Sequence, residues 1–252
     1  PHTTLCRMTV VPWIFDDEPL PSPKNAPSND PNIPNGLIAL TESISTQRLI
    51  EAYRQGIFPW YSRPGPVMWW CTSPRMALET SKFKVSQSLK KTIRAVLLNP
   101  SWEIRVDCAF KEVIQACANS PRNGEVGDTW ITPAIIEYYG ELHQMGLAHS
   151  VETWHDGQLV GGLYGVNLGK MLYGESMFTR VDNASKLALA ALCAWCVQVG
   201  IRYIDCQQET SHLASLGASP LPQDYFLNWL ESQIDLPAPL WNWDKSVLLE
   251  IQ

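Results

Sequence analysis

A mixed α/β (α+β) fold, with a small N-terminal domain and a larger C-terminal one, is predicted by three features of the sequence. Residues 158–207 read as strand, strand, helix, strand. Helical and strand patterns alternate from residue 81 to residue 155. Upstream lies a segment dense in proline and tryptophan, and the composition changes at Ser73-Pro74, which sets the expected domains at 1–73 and 74–252. The chain of 252 residues has room for one large or two small domains of roughly 100 to 200 residues each.

Residues 1–36 carry Pro19, Pro21, Pro23, Pro27, Pro31 and Pro34, too closely spaced for a helix or a central strand. This predicts an arm or wrapping loop, at least partly pinned to the body by Trp13, Ile14 and Phe15, with an exposed aromatic patch as the alternative. The first helix follows Ser45 as its cap, with Ile44 and Leu49 forming a hydrophobic staple and Gly56 ending it; Leu49, Ile50 and Tyr53 face inward. Aromatic residues then crowd Gly56-Ile57-Phe58-Pro59-Trp60-Tyr61 and Val67-Met68-Trp69-Trp70. Such residues fill a core or offer faces for stacking a base, and Trp60 beside a rigid proline suits the second use.

Residues 81–98 read as a helix with Leu89, Ile93, Val96 and Leu97 inward and Lys90, Lys91 and Arg94 outward. With Lys82 and Lys84 these form the main basic patch, able to hold a few phosphates. A strand at 102–106, a helix at 109–118 and a polar loop at 119–128 follow. Thr132 caps the next helix with Pro133 at its first position, and that helix ends at Gly146. A strand at 148–155 turns through Asp156-Gly157 into the hairpin of 158–166 and 170–178. Asn183 opens a long apolar helix, Gly200 closes it, and 201–206 is a buried strand. Short helices and a proline-interrupted tail complete the chain.

With 45% hydrophobic and 17% charged residues the chain predicts a soluble globular protein, and no apolar run reaches the roughly 18 residues of a membrane span. A net charge of −6 argues against a protein that coats duplex nucleic acid through many phosphate contacts, while leaving room for a small local basic patch. The seven cysteines are odd in number, lack the spacing of a disulfide framework and follow no evident signal sequence, so a cytoplasmic setting is expected. Cys193 and Cys196 form a C-x-x-C inside an apolar helix, where buried thiols account for them better than a metal site.

Glu175 and Asp205 stand at strand positions where a core would place apolar residues, and buried charge is costly unless paired or useful. They mark the expected floor of an active site. A serine hydrolase using Ser176, Asp205 and His212 has the right chain order, but Phe178 replaces the second glycine of G-x-S-x-G and Ser176 lies in a hairpin strand. The strand and helix order resembles the GCN5-related N-acetyltransferase superfold. Residues 179–184 nevertheless lack the glycines with which that superfold holds a coenzyme A pyrophosphate.

Pro34-Asn35-Gly36-Leu37, Gly56-Ile57-Phe58-Pro59-Trp60, Met68-Trp69-Trp70, Thr129-Trp130-Ile131-Thr132, Gly174-Glu175-Ser176-Met177-Phe178, Ile204-Asp205-Cys206-Gln207 and Leu216-Gly217-Ala218 together resemble the bacterial leucyl/phenylalanyl-tRNA–protein transferase family. The resemblance spans residues 34–229. It implies an enzyme that moves leucine or phenylalanine from leucyl-tRNA or phenylalanyl-tRNA onto proteins with N-terminal arginine or lysine, marking them as N-degrons, without a coenzyme, metal, DNA or membrane. It also implies a small N-terminal domain before the acetyltransferase-like one. On its terms Trp60 and Trp130 lie near the terminal adenosine, and Glu175, Asp205 and Gln207 form the polar centre. Leu163, Met177, Leu192 and Ile204 line the side-chain pocket. The basic patch of Lys82, Lys84, Lys90, Lys91 and Arg94 would meet the tRNA. Asp205 and Gln207, two apart on a strand, are expected to point the same way, with Asp205 orienting Gln207 and drawing charge from the acceptor amine. A related alternative is the aminoacyl-tRNA-dependent transferases of cell-wall peptide synthesis; an RNA-binding module is the non-catalytic one.

Overall fold

A computed structural model describes residues 10–25, 30–121 and 130–251. Residues 122–128 of the loop expected at 119–128, with Thr129 and Pro27, lie outside the described residues. Two sheets organise the chain. Strands β1 (Leu37–Thr41), β2 (Phe58–Pro59) and β3 (Val67–Trp70) form a three-stranded antiparallel sheet in the order β1-β3-β2, with helix α1 (Thr46–Arg54) between its first two strands. The arm is pinned to it, since Ile14 donates its N–H to Leu40 at 2.8 Å and Leu40 donates back to Pro12 at 3.0 Å.

The second sheet has seven strands in the order β10-β4-β9-β8-β7-β6-β5. These are β4 (Arg75–Glu79), β5 (Trp102–Val106), β6 (Ala148–His155), β7 (Gln158–Leu168), β8 (Met171–Thr179), β9 (Tyr203–Gln207) and β10 (Ser219–Leu221). Every neighbouring pair is antiparallel except β8 and β9. Asp156 at φ 49° and Gly157 at φ 73° make the tight turn from β6 into β7 that the Asp-Gly pair predicts.

The two faces of this sheet carry two apolar clusters. On one side α2 (Gln87–Leu98) and α5 (Ala184–Val199) pack Leu89, Ile93, Leu187 and Leu192 against Leu163, Leu172 and Ile204. Helix α5 is apolar nearly all round, as a helix buried under its neighbours must be. It presses close on β7: a Cβ added at Gly161 would lie 2.5 Å from the Ala184 Cβ. On the other side α3 (Phe110–Asn119), α4 (Pro133–Gln144), α1 and α7 (Gln223–Gln233) share one core with the three-stranded sheet. The small N-terminal unit therefore has no hydrophobic core separate from the large sheet.

The ends of the helices follow the sequence closely. Ser45 accepts the Arg48 N–H and Thr132 the Ile135 N–H, while Gly200 closes α5 at φ 78°. Because α1 carries Tyr53 toward the large sheet, we expect Ser45→Ala to lower stability by about 1 kcal/mol in urea unfolding, the ordinary worth of an N-cap. Helix α2 is the exception: it begins at Gln87, capped by Ser86, and not at residue 81. Residues Thr80–Lys82 form a separate 3-10 turn, and Lys84 donates its N–H to Leu216 at 2.9 Å, so Lys82 lies in that turn and Lys84 in the extended connection after it.

Strands β1 to β4 and β10 were not read from the sequence as such, and neither were two contacts that fix the chain. Strand β10 closes the edge beside β4. Trp241 of the tail stacks on His149 at 4.2 Å and beside Trp195 at 4.4 Å, which anchors the chain's end over α5. Glu152 of β6 is buried, and its carboxylate accepts the N–H groups of Cys108 and Ala109 at 3.0 and 2.7 Å. It satisfies the two backbone donors just ahead of α3, one of them that of the cap residue Ala109.

Candidate active site

The large sheet splays between β8 and β9. The two strands pair in parallel only at Leu172 with Ile204 and Tyr173 with Asp205. Beyond those residues β8 runs on with β7 as far as Thr179, whereas β9 runs on with β4 as far as Gln207. The mouth of this cleft holds Glu175 on one strand and Gln207 on the other.

A register shift places Glu175 there. Tyr164 pairs with Ser176 and Gly165 with Gly174, so Glu175 is the extra residue of a β-bulge. A bulge re-aims one side chain out of the strand's alternation. The Glu175 carboxylate accepts the Tyr53 hydroxyl at 2.5 Å and the Gln207 side-chain amide at 3.2 and 3.3 Å. Tyr53 in turn meets the Tyr139 hydroxyl, so α1 and α4 both reach the cleft. Burial pushes the Glu175 carboxyl up to about 7, opposed by the hydrogen bonds from Tyr53 and Gln207. Burial likewise raises the Tyr53 and Tyr139 phenols, and the negative charge of Glu175 adds to the shift.

Asp205 is held differently from what its spacing suggested. Its side chain is 0% exposed and forms a two-pronged ion pair with Arg75, Nε to Oδ1 at 2.8 Å and Nη2 to Oδ2 at 2.6 Å. Arg75, also 0% exposed, spends Nη1 on the Gly56 carbonyl at 2.7 Å and lies between the Phe58 and Phe226 rings at 4.8 and 4.5 Å. Burial disfavours the charged Arg75 guanidinium, but the Asp205 carboxylate outweighs it and holds the group above its ordinary value. The strand does not continue regularly through Gln207, whose φ of 65° is left-handed. The expected alignment of two side chains on one strand face is therefore replaced by a backbone contact: Gln207 donates its N–H to Asp205 Oδ1 at 3.0 Å. Thr72 holds the other side of that residue by donating to the Gln207 carbonyl at 3.2 Å. Asp205 thus sets the backbone of Gln207 and does not itself reach the cleft.

Leu163, Leu192 and Ile204 are buried in the cluster beneath the splay, and Met177, paired with Leu163, packs on it from the partly exposed side. Met177 also lines a cavity of about 570 Å³ with Ser88, Asn183, Lys186 and His212. Trp60 is 43% exposed, with its neighbour Trp70 donating to its carbonyl at 2.7 Å. Trp130 is partly buried against the core shared with α1 and α4, at the end of the stretch leading into α4. Lys91 and Arg94 are exposed on α2, Lys90 is partly exposed, and Lys82 is ion-paired with Glu79 at 2.8 Å.

The hydrolase reading finds no support in this geometry. Ser176 sits within the β7–β8 pairing, and Asp205 is bonded to Arg75 and Gln207 and not to His212, which is exposed on α6 (Ser211–Ser215). Cys193 and Cys196 are buried in α5, where burial drives both thiols up and away from reactivity. Sequence reading missed Arg75, Tyr53 and Tyr139 as parts of the centre. Tyr53 was visible only as an inward position of α1, and nothing local marks Arg75, whose partner lies 130 residues away.

A splayed mixed sheet with an acid, an amide and two phenols gathered at its cleft defines an α/β enzyme, and the relatives place it among the aminoacyltransferases. The chain belongs to the leucyl/phenylalanyl-tRNA protein transferase family: the family's model matches residues 77–231, and the model of its N-terminal domain matches residues 42–73. The leucyl/phenylalanyl-tRNA–protein transferase of Cupriavidus metallidurans is 52% identical over 240 residues, covering 95% of this chain and 96% of its own length. That of Paraburkholderia xenovorans is 50% identical over 242 residues, covering 96% and 98%. Among solved structures, a GCN5-related N-acetyltransferase from Kribbella flavida aligns with a TM-score of 0.31 at 14% identity, over 68% of this chain and 59% of that one. No helix among the described residues is long and apolar enough to cross a membrane.

Proposed function

We propose that the protein transfers leucine or phenylalanine from leucyl-tRNA or phenylalanyl-tRNA to the N-terminal arginine or lysine of an acceptor protein, forming a peptide bond and creating an N-degron. The observation that carries this reading is the hydrogen-bonded Tyr53–Glu175–Gln207 centre set at the splay over an apolar cluster. An aminoacyl ester is already activated, so its transfer needs an amine positioned on a carbonyl and no enzyme nucleophile. Gln207, fixed by Asp205 and Thr72, positions the amine and the ester. Leu163, Met177, Leu192 and Ile204 accept the transferred side chain, and the thioether of Met177 adapts to branched or planar groups.

Trp60 and Trp130 hold the terminal adenosine in this reading, and Trp60 offers an exposed ring for it. Lys82, Lys84, Lys90, Lys91 and Arg94 meet the acceptor-stem phosphates. A base stacked on an aromatic ring is worth about 1 to 3 kcal/mol, so Trp60→Ala is expected to raise the KM for phenylalanyl-tRNA by roughly 5- to 150-fold. Initial-rate measurements at varied donor concentration check this.

The reaction is tested with labelled phenylalanyl-tRNA and two peptides differing only in an N-terminal arginine or methionine. Transfer to the arginine peptide alone is the expected result. Transfer to neither peptide, from intact donor and folded protein, overturns the proposal.

A further inference from the structure

We propose that Glu175, and not Asp205, accepts the proton that the acceptor amine loses as it attacks the aminoacyl ester. This rests on the reading of the chain as an aminoacyltransferase. Both carboxylates stand near Gln207, and their surroundings separate them. Asp205 has no exposed surface, and its two oxygens are taken by Arg75 and the Gln207 N–H. A proton arriving there would break a buried ion pair and leave Arg75 charged and unpaired, which is strongly disfavoured. Glu175 lies at the bulge, partly exposed at the mouth of the cleft, with no cation bonded to it among the described residues; its partners there are the Tyr53 hydroxyl and the Gln207 amide. It is a carboxylate placed beside the positioning group and free to change charge.

The groups that face Glu175 favour that change. Tyr53 from α1, Tyr139 from α4, Tyr173 on its own strand, Asp205 from β9 and Arg75 from β4 are the titratable or charged neighbours. Burial and the charge of Asp205 raise the carboxyl, Tyr53, Gln207 and Arg75 lower it, and the balance at about 7 matches a base working near neutral pH. In the step itself the amine nitrogen forms a C–N bond to the ester carbonyl carbon. The bond from that carbon to the ribose oxygen breaks, and its electron pair leaves on the oxygen. One proton passes from nitrogen to Glu175 and one is delivered from Glu175 to the ribose oxygen, so amine and ester become amide and alcohol with no further reactant. Gln207, bonded to Glu175 throughout, keeps the amine in reach of the carboxylate.

The test is the pH profile of phenylalanine transfer at saturating acceptor peptide, for wild type, Glu175→Gln and Tyr53→Phe, with melting curves to establish folding. Wild type is expected to lose activity as pH falls through about 7. In Glu175→Gln the rate falls by about 100-fold or more, the scale of general base catalysis, and the limb through about 7 is lost, leaving only the one set by the peptide's own amine. In Tyr53→Phe the limb moves to higher pH, because the lost hydrogen bond had favoured the carboxylate; the peptide's own amine, titrating at about 7.7 to 8.0, does not move with an enzyme variant. A second readout needs no activity. A carboxyl raised from its ordinary 4.5 to about 7 makes the folded protein lose stability as pH rises through that window, and Glu175→Gln abolishes this loss in urea unfolding. A wild type that transfers phenylalanine, with a Glu175→Gln variant that keeps the rate and the limb through about 7, overturns the assignment and leaves the proposed function standing. A wild type that transfers nothing overturns both.

Discussion

Arg75→Met is expected to destabilise the protein by about 3 to 5 kcal/mol, because it strands the Asp205 carboxylate in a site with no exposed surface. Arg75 stands at the start of β4, threaded between the Phe58 and Phe226 rings, and it links the Gly56 carbonyl of the N-terminal unit to Asp205 of the central strand β9. Losing it therefore costs the ion pair, a backbone hydrogen bond and the packing of two rings together. The double variant Arg75→Met/Asp205→Leu should recover much of the loss, since an apolar pair of similar volume is often as stable as a buried ion pair. Its transfer activity should stay low. Gln207 would have lost the acceptor that fixes its left-handed backbone. Urea unfolding of the two single variants and the double gives the coupling energy, and transfer by the double variant separates stability from positioning.

Gln207→Asn is expected to lower the transfer rate by about 100-fold or more while leaving the melting temperature near that of wild type. Asparagine tolerates the left-handed conformation that Gln207 adopts at φ 65°, and its backbone would keep the bonds to Asp205 and Thr72. Its side chain is one methylene short of Glu175, which the Gln207 amide reaches at 3.2 Å. Removing a preorganised donor from a site of this kind typically costs two to three powers of ten. Gln207→Leu would lose the same donor, but a branched apolar residue at positive φ adds strain of its own. The asparagine variant is thus the cleaner measurement, and single-turnover transfer with donor binding followed separately is the way to make it.

Much of the architecture was legible because it is local. The hairpin of β7 and β8 follows from apolar runs on either side of a turn, and Gly169 at φ 58° makes that turn directly after β7. Helix α5 follows from an apolar run between Asn183 and a closing glycine. The caps at Ser45 and Thr132, the Asp-Gly turn and strand β5 each depend on residues within a few positions of one another. Where the local pattern was ambiguous it misled: residues 81–86 have helical spacing, yet Phe83 and Val85 pack toward the α5 core as an extended connection and Ser86 supplies the cap.

Glu175 and Asp205 stood out in the sequence because a carboxylate is costly in a core strand, and that reasoning needs no contacts. It gave Asp205 the task of drawing charge from the acceptor amine and left that of Glu175 open, without showing how differently the two are held. The difference comes from Arg75, far away in the chain, and from a bulge that is a property of pairing between two strands and not of either alone. Most helices, the strands from β5 to β9, the two acids on the sheet and the motifs of the family could be read from neighbouring residues alone. Only the tertiary structure decided that Asp205 is neutralised, that Gln207 turns on a left-handed backbone and that Tyr53 and Tyr139 reach Glu175. Those facts depend on burial and on hydrogen bonds between separate elements, which take their values only when β4, α1 and α4 close around the splayed strands.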